Sequence, residues 1–258
     1  MSEHLLVIDA ANVAHRLFHG VHDRDPAEVF AFKIERYRKI YTPTHAVACF
    51  DPIDKSRSWR RELWPAYKSG SAEKPEALER LLLEARRVCG WSALAVAESP
   101  ELEADDLIGA YTEAAVARGI PVTILSGDKD MAQLVRDDPL VRLVREVPTW
   151  QTWGPVEVRE RFGVEPERIP DLLALLGDKS DGYPGVPKIG PKTAVKLLAE
   201  HGGTLESLLD RINLIRPTAT MKRLREHEAT ARICYQLAQL RTADPLPVSL
   251  DACAWKRP

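Results

Sequence analysis

The stretch from Leu102 to Ala110, "LEADDLIGA", places three carboxylates within four positions and follows them directly with apolar residues. Like charges this close, on Glu103, Asp105 and Asp106, raise one another's pKa and repel. For this stretch alone a solvated first turn of a helix is the simpler interpretation, because acidic residues favour the positive end of the helix dipole. Divalent cations bound among the acids would also make the crowding tolerable. The choice between a solvated helix start and a cation site depends on the rest of the sequence.

Three further aspartates come at the ends of short apolar runs. "LLVID" ends in Asp9, "HAVACFD" in Asp51 and "PVTILSGD" in Asp128. The first and third runs have the composition of buried parallel strands. One such aspartate would be an ordinary turn residue or helix cap. Ligands of parallel sheets bind outside the carboxyl ends of the strands, so we expect the three aspartates to converge on one place.

Helical patterns alternate with these runs, which predicts an α/β fold with a mostly parallel sheet flanked by helices. The patterns cover residues 27–40, 75–88 and 102–118, and a fourth strand is expected at 140–146. From about residue 150, proline and glycine punctuate a series of short helices. We therefore predict a sheet-containing core over residues 1–148 and a helical region over residues 149–258.

The motifs "SGDKD" and "GDKSD" bring the set of clustered acids to nine. The nine are Asp9, Asp51, Glu103, Asp105, Asp106, Asp128, Asp130, Asp178 and Asp181. Oxygen ligands without accompanying His or Cys suit Mg²⁺ or Mn²⁺ rather than zinc. Because one Mg²⁺ takes only one or two carboxylates, nine acids imply at least two ions. Two such ions roughly 3.5–4 Å apart are the usual apparatus for the attack of water on a phosphodiester.

The overall composition narrows the class of protein. The 258 residues carry 36 Lys and Arg against 38 Asp and Glu, so bulk charge gives no argument for a polyanionic partner. The four cysteines form no CxxC pair, which argues against a zinc site and indicates a reducing compartment. The sequence has neither a charged leader nor a run of membrane-spanning length, so we expect a cytoplasmic protein without a membrane partner.

Five motifs, taken in order, resemble the 5′ nuclease (flap endonuclease) family, in particular the amino-terminal 5′-nuclease domain of bacterial DNA polymerase I and its free-standing bacterial and phage relatives. The motifs are "LLVIDAANVAHRLFH", "ACFD" with "SWRRELWPAYKSG", "ELEADDLIGA", "ILSGDKDMAQLV" and "LLGDKSDGYPGVPKIGPKTAVKLL". The resemblance runs nearly end to end and implies a PIN-like 5′-nuclease fold followed by a helix–hairpin–helix DNA-binding region. Because the chain begins with Met and stops about where a polymerase-linked relative would continue, we expect a free-standing protein, and a monomer.

The resemblance also implies roles for the acids and for two cationic side chains. One ion would be held by Asp9, Asp51, Glu103, Asp105 and Asp128, partly through water, and a second would involve Asp106, Asp130, Asp178 and Asp181. One free-standing bacterial branch lacks the acids equivalent to Asp178 and Asp181, and since this chain keeps both we expect a full two-metal site. Arg16 and Lys68 would lie against the scissile phosphate, where fixed cations stabilise developing charge. An exposed Arg and a loop Lys without such a role are the alternative.

Basic and aromatic residues interleave over residues 55–68, a composition that suits single-stranded nucleic acid. Within this segment Arg60 is expected to contact the nucleic acid, and Tyr67 either stacks on a base near the cut or packs in the protein. The family uses the part corresponding to about residues 68–90 as a helical arch or gateway over the active site. The amphipathic pattern at residues 75–88 fits an ordinary packed helix equally well.

The stretch "GVPKIGPKTAVKLLAEHG" resembles the helix–hairpin–helix core of the family, over residues 184–201. A Gly-rich hairpin lets backbone N–H groups approach phosphate, and the start of the next helix favours anions. The predicted DNA contacts are Lys188, Gly190, Lys192, Thr193 and Lys196, and the carbonyls of Val186 and Ile189 would hold a K⁺ ion. The family usually has Gly where this chain has Lys188 and Asn where it has Gly182. If position 188 needs a positive φ, Lys costs on the order of 1 kcal/mol relative to Gly, which puts the K⁺ site in question.

Together these motifs predict a structure-selective nuclease that depends on Mg²⁺ or Mn²⁺ and acts on 5′ ends, nicks and 5′ flaps of DNA. It would leave a 5′-phosphate and a 3′-hydroxyl. Two alternatives stay open. A single-strand ribonuclease of PIN type would lack the helix–hairpin–helix module, and a catalytically decayed DNA-binding homologue would lack part of the acid set.

Overall fold

The computed structural model describes residues 3–54, 57–70, 74–146, 149–212, 218–243 and 245–255. Its chain contacts divide into two compact units. The first, here called the sheet unit, comprises Met1–Ser58, Glu73–Gly154 and Arg241–Pro258. The second, the helical unit, comprises Trp59–Ala72 and Pro155–Leu240.

A six-stranded sheet forms the centre of the sheet unit. Its strands are β1 (Leu5–Asp9), β2 (His45–Cys49), β3 (Ala95–Ala97), β4 (Val122–Leu125), β5 (Val141–Arg145) and β6 (Gln151–Trp153). The order is β3-β2-β1-β4-β5-β6, with only β6 antiparallel to its neighbour. Four strands and the mostly parallel arrangement confirm the prediction. β3 and β6 were not predicted, since three residues are too short to show a period.

Four helices belong to the sheet unit: α1 (Ala10–Gly20), α2 (Pro26–Tyr41), α4 (Glu76–Trp91) and α5 (Ala104–Val116), while α3 (Trp59–Leu63) belongs to the helical unit. The three helical patterns of the sequence are thus confirmed to within a few residues. α2 starts where its sequence signals a start, because the Asp25 carboxylate accepts the Ala27 N–H at 2.9 Å and Pro26 follows the cap.

α4 packs against the core of the sheet unit. It buries one face against the cluster that contains Phe30, Ile34 and Tyr37 of α2. The buried residues of α4 are Leu78, Leu81, Leu82, Ala85, Val88 and Cys89. This packing favours the alternative of an ordinary amphipathic helix for residues 75–88, and the arch or gateway over residues 68–90 stays a prediction. Residues 71–73 of that segment lie outside the described part.

The helical unit contains the remaining helices. They are α6 (Pro155–Phe162), α7 (Ile169–Leu176), α8 (Pro191–Glu200), α9 (Leu205–Arg211), α10 (Ala219–Glu226) and α11 (Glu228–Ala238). Leu173 and Leu175 of α7 and Leu197 and Leu198 of α8 are buried, so each of these helices covers an apolar face within the unit. α7 and α8 flank the predicted hairpin.

The division of the chain differs from the predicted boundary at residue 148 in three places. Residues 149–154, which include β6, belong to the sheet unit. Residues 241–255 return to the sheet unit, where the Trp255 ring is 4% exposed, donates its N–H to the Ser92 carbonyl at 2.8 Å and lies under the Arg38 guanidinium. Residues 59–70 belong to the helical unit.

Within the described residues, no helix is both long enough and apolar enough to cross a lipid bilayer.

Truncating Trp255 should destabilise the protein strongly. We expect Trp255→Ala to lower the free energy of unfolding by about 3–5 kcal/mol, because a large buried ring and its hydrogen bond are both lost. Trp91→Ala is the matched control, since the Trp91 ring is 78% exposed and should change stability by less than about 0.5 kcal/mol. Urea unfolding followed by far-UV circular dichroism measures both, and equal effects would contradict the placement of Trp255.

Replacing Lys188 by Gly should stabilise the protein. Lys188 has a φ of 61°, the left-handed conformation in which a side chain costs on the order of 1 kcal/mol relative to Gly. We expect Lys188→Gly to raise the free energy of unfolding by up to about 1 kcal/mol, with part of the gain offset by the flexibility of Gly in the unfolded chain. Lys192→Gly, inside α8, should lower it by about 0.5–1 kcal/mol. A loss of stability for both variants would show that position 188 is unstrained.

Candidate active site

Three aspartates lie at the same edge of the sheet. Asp9 is the last residue of β1, Asp51 follows β2 by two residues, and Asp128 follows β4 by three. Because β2, β1 and β4 are adjacent and parallel, their carboxyl ends are level and the convergence predicted from the sequence is confirmed. These three residues are called the acid edge below.

Asp9 is the most buried member of the acid edge. It caps α1 by accepting the Asn12 N–H at 2.9 Å, and its other oxygen accepts the Ser126 hydroxyl at 2.5 Å. The pKa of Asp9 is raised to about 7, chiefly by burial and also by the negative charges of Asp128 and Asp51, while these two hydrogen bonds oppose the shift. The other two carboxylates are therefore close enough to repel the Asp9 carboxylate, which has little contact with solvent.

Backbone N–H groups hold the other two acids. The Asp51 carboxylate accepts the Ala104 N–H at 3.1 Å, which joins the end of β2 to the start of α5. The Asp128 carboxylate accepts the Asp130 N–H at 2.8 Å, and the Asp128 N–H donates to the Ser126 hydroxyl oxygen at 2.9 Å. Ser126 thus bridges Asp9 and Asp128, and the hydrogen bonds fix where each carboxylate points.

The acids at the start of α5 are not a solvated first turn. Glu103 is 2% exposed and Asp106 is fully buried. Asp106 accepts the Glu103 N–H at 3.3 Å and the Arg241 N–H at 3.0 Å, while Glu103 accepts the Ser58 hydroxyl at 3.2 Å. These reciprocal bonds stabilise the helix start, and burial of this degree argues against the simpler interpretation of the stretch "LEADDLIGA".

The thiol of Cys49, at the end of β2, is affected by acids of both β1 and α5. Burial raises the pKa of Cys49, and the nearby charges of Asp9 and Asp105 raise it further. Asp105 follows Ala104, whose N–H the Asp51 carboxylate accepts, at the start of α5. The structure thus brings together Asp9, Asp51 and Asp128, and α5 starts beside Asp51.

The chemistry of this donor set fits a hard divalent cation. In the part of the chain that the structure describes, no three His, Cys, Asp or Glu side chains form a ready-made metal cage. Mg²⁺ does not require such a cage, because it keeps several waters and takes only one or two carboxylates. Buried Asp9 and the half-buried Asp51 and Asp128, whose charges act on it, supply the negative charge that such an ion would offset.

Arg16 lies beside the loop that carries Asp128. A Cβ added to Gly127 would stand 3.4 Å from the Arg16 guanidinium and 2.8 Å from the Asn12 amide oxygen. Asn12, Ser126 and Arg145 were not predicted from the sequence. Asn12 and Ser126 contact Asp9, and Arg145 contacts Gly127, the residue before Asp128. The spacing of Asn12 from Asp9, one helical turn, was the only available signal for any of them.

Asp178 and Asp181 share a tight turn of the helical unit. Asp178 and Tyr183 exchange backbone hydrogen bonds of 2.9 and 3.0 Å, and the Asp178 carboxylate accepts the N–H groups of Ser180 and Asp181 at 2.7 and 3.3 Å. The Asp181 carboxylate lies 3.7 Å from the Lys68 ammonium. Their role as metal ligands stays a prediction.

Tyr67 and Arg60 are packing residues, which corrects two of the predicted nucleic-acid contacts. The Tyr67 ring is 1% exposed and its hydroxyl donates to Asp181 at 3.2 Å, so base stacking would require the ring to leave its site. Arg60 is 3% exposed and donates to the carbonyls of Leu237 and Gln239 at 3.0 and 3.1 Å. Arg60 thereby satisfies the end of α11, where a cation is favoured. Lys55, in the same basic segment, lies outside the described residues.

The hairpin between α7 and α8 keeps the features expected of a phosphate-binding turn. Gly190 caps α8 without a side chain, Lys192 and Lys196 are exposed and Thr193 is half-buried. A Cβ on Gly185 would stand 2.2 Å from the Gly177 nitrogen, so the turn cannot accept a side chain there. Val186 and Ile189 are buried, and the Ile189 N–H donates to the Val186 carbonyl at 3.2 Å. The K⁺ site stays a prediction.

Known structures and sequences are similar to the chain over most of its length. The T5 5′-exonuclease with bound zinc ions shares its fold, with a TM-score of 0.83 and 21% identity over 93% of this chain and 90% of that one. Flap endonuclease Xni of Serratia proteamaculans is 34% identical over 94% of both chains. DNA polymerase I of Bacillus caldotenax is 34% identical over 99% of this chain, which spans 30% of the length of that polymerase.

Two family descriptions match consecutive parts of the sequence. Residues 4–163 match the family described as "5′-3′ exonuclease, N-terminal resolvase-like domain". Residues 164–258 match the one described as "5′-3′ exonuclease, C-terminal SAM fold". The two matches meet without a gap and cover the sheet edge, the acids and the hairpin. The chain belongs to the 5′-3′ exonuclease family.

Proposed function

We propose that the chain is a structure-selective 5′-3′ exonuclease and 5′-flap endonuclease that hydrolyses DNA phosphodiesters with the help of divalent cations. The observation that carries this proposal is the meeting of Asp51, Asp9 and Asp128 at the ends of three adjacent strands. Family membership over the whole chain supports it, as does the similarity to a flap endonuclease over 94% of both chains.

Asp9, Asp51, Asp105 and Asp128 are the residues we assign to the first cation. Mg²⁺ or Mn²⁺ bound there supplies a Lewis acid for the phosphate oxygens and lowers the pKa of a bound water. The chain's own residues orient these carboxylates through backbone N–H groups and the Ser126 hydroxyl, so little rearrangement is needed on binding. Hydrolysis breaks the bond between phosphorus and the 3′-oxygen and gives a 5′-phosphate and a 3′-hydroxyl.

Arg16 and Lys68 are assigned to the scissile phosphate. Arg16 lies beside the Asp128 loop, where its guanidinium can donate two hydrogen bonds to phosphate oxygens and stabilise the charge that builds on them. Lys68 belongs to the helical unit, and its ammonium is held near Asp181 and over the Tyr67 ring at 4.9 Å. Both side chains would act as fixed charges and require no proton transfer for this task.

The hairpin and the start of α8 are assigned to the DNA duplex. The N–H groups of Gly190, Lys192 and Thr193 belong to the helix start, which favours an anionic phosphate, and the exposed ammonium groups of Lys188, Lys192 and Lys196 add charge. A K⁺ ion at the carbonyls of Val186 and Ile189 is part of this proposal. Affinity for DNA should fall as salt rises, because phosphate contacts dominate it. The protein would act as a monomer.

A cleavage assay tests the proposal directly. With Mg²⁺ or Mn²⁺ the protein should cut 5′-flap and nicked DNA, with much slower cutting of single-stranded DNA and RNA, and chelation should abolish the activity. Asp128→Ala should lower cutting by at least about 10³-fold while DNA still binds, because the acid edge loses a charge that the cation needs. Asp137→Ala, an exposed acid paired with Arg142, is the control and should leave the rate unchanged.

Each other result of that assay points elsewhere. Cutting of RNA without dependence on a duplex would indicate a single-strand ribonuclease. Binding of flap DNA without cutting in any divalent cation would indicate a DNA-binding homologue that has lost catalysis. Full activity of Asp128→Ala would overturn the assignment of the site.

Lys68→Ala should lower the single-turnover rate more than the affinity for DNA. We expect a loss of about 10²-fold in rate, since one fixed charge at a developing oxyanion contributes about 3 kcal/mol. Lys196→Ala removes a charge of the same kind from the hairpin region, where it pairs only loosely with Glu200 at 3.8 Å, and should weaken DNA binding at an unchanged rate. Rapid-quench kinetics with saturating enzyme separates the two effects, and a pure affinity loss for Lys68→Ala would contradict its role.

A further inference from the structure

The loop that carries Asp128 is held at two consecutive peptide groups, one on each side of the Gly127 α-carbon. The Gly127 N–H donates to the Asn12 side-chain oxygen at 3.0 Å, and the Gly127 carbonyl accepts the Arg145 guanidinium at 2.6 Å. Asn12 comes from α1 and Arg145 from β5, so two separate elements fix the orientation of these two peptide groups. The next residue along the chain is Asp128.

Asn12 also connects this loop to the other end of the acid edge. Its backbone N–H donates to the Asp9 carboxylate at 2.9 Å, while its side chain holds Gly127. One residue therefore contacts both the Asp9 carboxylate and the loop of Asp128. A Cβ on Gly127 would stand 2.8 Å from the Asn12 amide oxygen, so this contact also explains why the position carries no side chain.

Arg145 is itself held in place by an aromatic ring. Its guanidinium lies over the Trp153 ring at 4.5 Å from the ring centroid, which joins β6 to the acid edge through β5. Stacking on one face and a charge-assisted hydrogen bond leave the guanidinium little freedom. The antiparallel strand β6 thus contributes to the site through the Trp153 ring, which supports Arg145.

We propose that Asn12 and Arg145 are positioning residues that hold the two peptide groups on either side of the Gly127 α-carbon and so keep Asp128 at the distance from Asp9 that a divalent cation needs. This inference rests on the proposed function only in taking the acid edge as the cation site. Removing a hydrogen bond that orients a metal ligand typically changes the metal affinity by about 10–100-fold.

Metal binding without DNA gives the decisive measurement. Mn²⁺ titration calorimetry should show about 10–100-fold weaker binding for Asn12→Ala and for Arg145→Ala. Arg145→Lys keeps the charge but loses the planar fork, so it should recover only part of the affinity. Arg142→Ala is the matched control, because Arg142 lies on the same strand and bonds to Asp137 and the Arg136 carbonyl. It should bind Mn²⁺ as the wild type does.

Kinetics provides a second readout that a general structural role would not reproduce. At fixed Mg²⁺ both alanine variants should lose rate at an unchanged KM for flap DNA, and raising Mg²⁺ should restore part of the rate. If Arg145→Ala does not fold, Asn12→Ala and Gly127→Ala test the same contact, since an added Cβ must displace the Asn12 side chain.

Unchanged Mn²⁺ affinity in the folded Asn12 and Arg145 variants would overturn the proposal, whatever their KM for DNA. Its failure can be told apart from that of the proposed function. If the wild type cuts flaps and the variants bind Mn²⁺ normally, only the positioning role is contradicted. If the wild type binds Mn²⁺ but cuts no DNA, and the variants lose Mn²⁺ affinity, only the proposed function is contradicted.

Discussion

Several carboxylates share one poorly solvated edge of the sheet, and this crowding is the constraint on which the rest of the site depends. Desolvation and repulsion from Asp51 and Asp128 act together on Asp9 and raise its pKa to about 7. The protein offsets only part of this cost, with backbone N–H groups and one hydroxyl aimed at the oxygens. The uncompensated cost of desolvation and repulsion remains. A bound cation would be attracted most strongly where this cost to the carboxylates is largest.

The acid edge is supported by side chains from elements that carry none of its three aspartates. Arg86 of α4 donates to the Asp51 carbonyl at 3.2 Å, stacks on the Phe50 ring at 4.4 Å and pairs with Glu98. Its arrangement resembles that of Arg145 on the opposite side, where a stacked guanidinium also holds a carbonyl. In both places a planar cation donates to a backbone carbonyl at or next to an acid, which fixes the backbone that carries the carboxylate.

The parts of the site that follow from strand periodicity could be predicted, and those that depend on burial could not. Asp9, Asp51 and Asp128 were found because buried parallel strands have a recognisable composition and end at a common edge. Tyr67 and Arg60 were misassigned, because a segment of mixed basic and aromatic residues has the same sequence whether it faces DNA or its own helices. Arg145 and Trp153 were missed as a pair, since β6 is too short to predict and their contact exists only once β5 and β6 are aligned.

Two lysines adopt a left-handed backbone where glycine would be unstrained, Lys68 with a φ of 50° and Lys188 with a φ of 61°. Each costs on the order of 1 kcal/mol, and such strain persists only where the surroundings determine the conformation. At Lys68 the determinant is visible, because its N–H donates to the Asp181 carbonyl at 2.9 Å while its ammonium lies near the carboxylate of the same residue. A positive charge is thus retained at two positions where backbone stability alone favours Gly. At Lys188, whose ammonium is exposed, phosphate is the ligand that we propose for this charge.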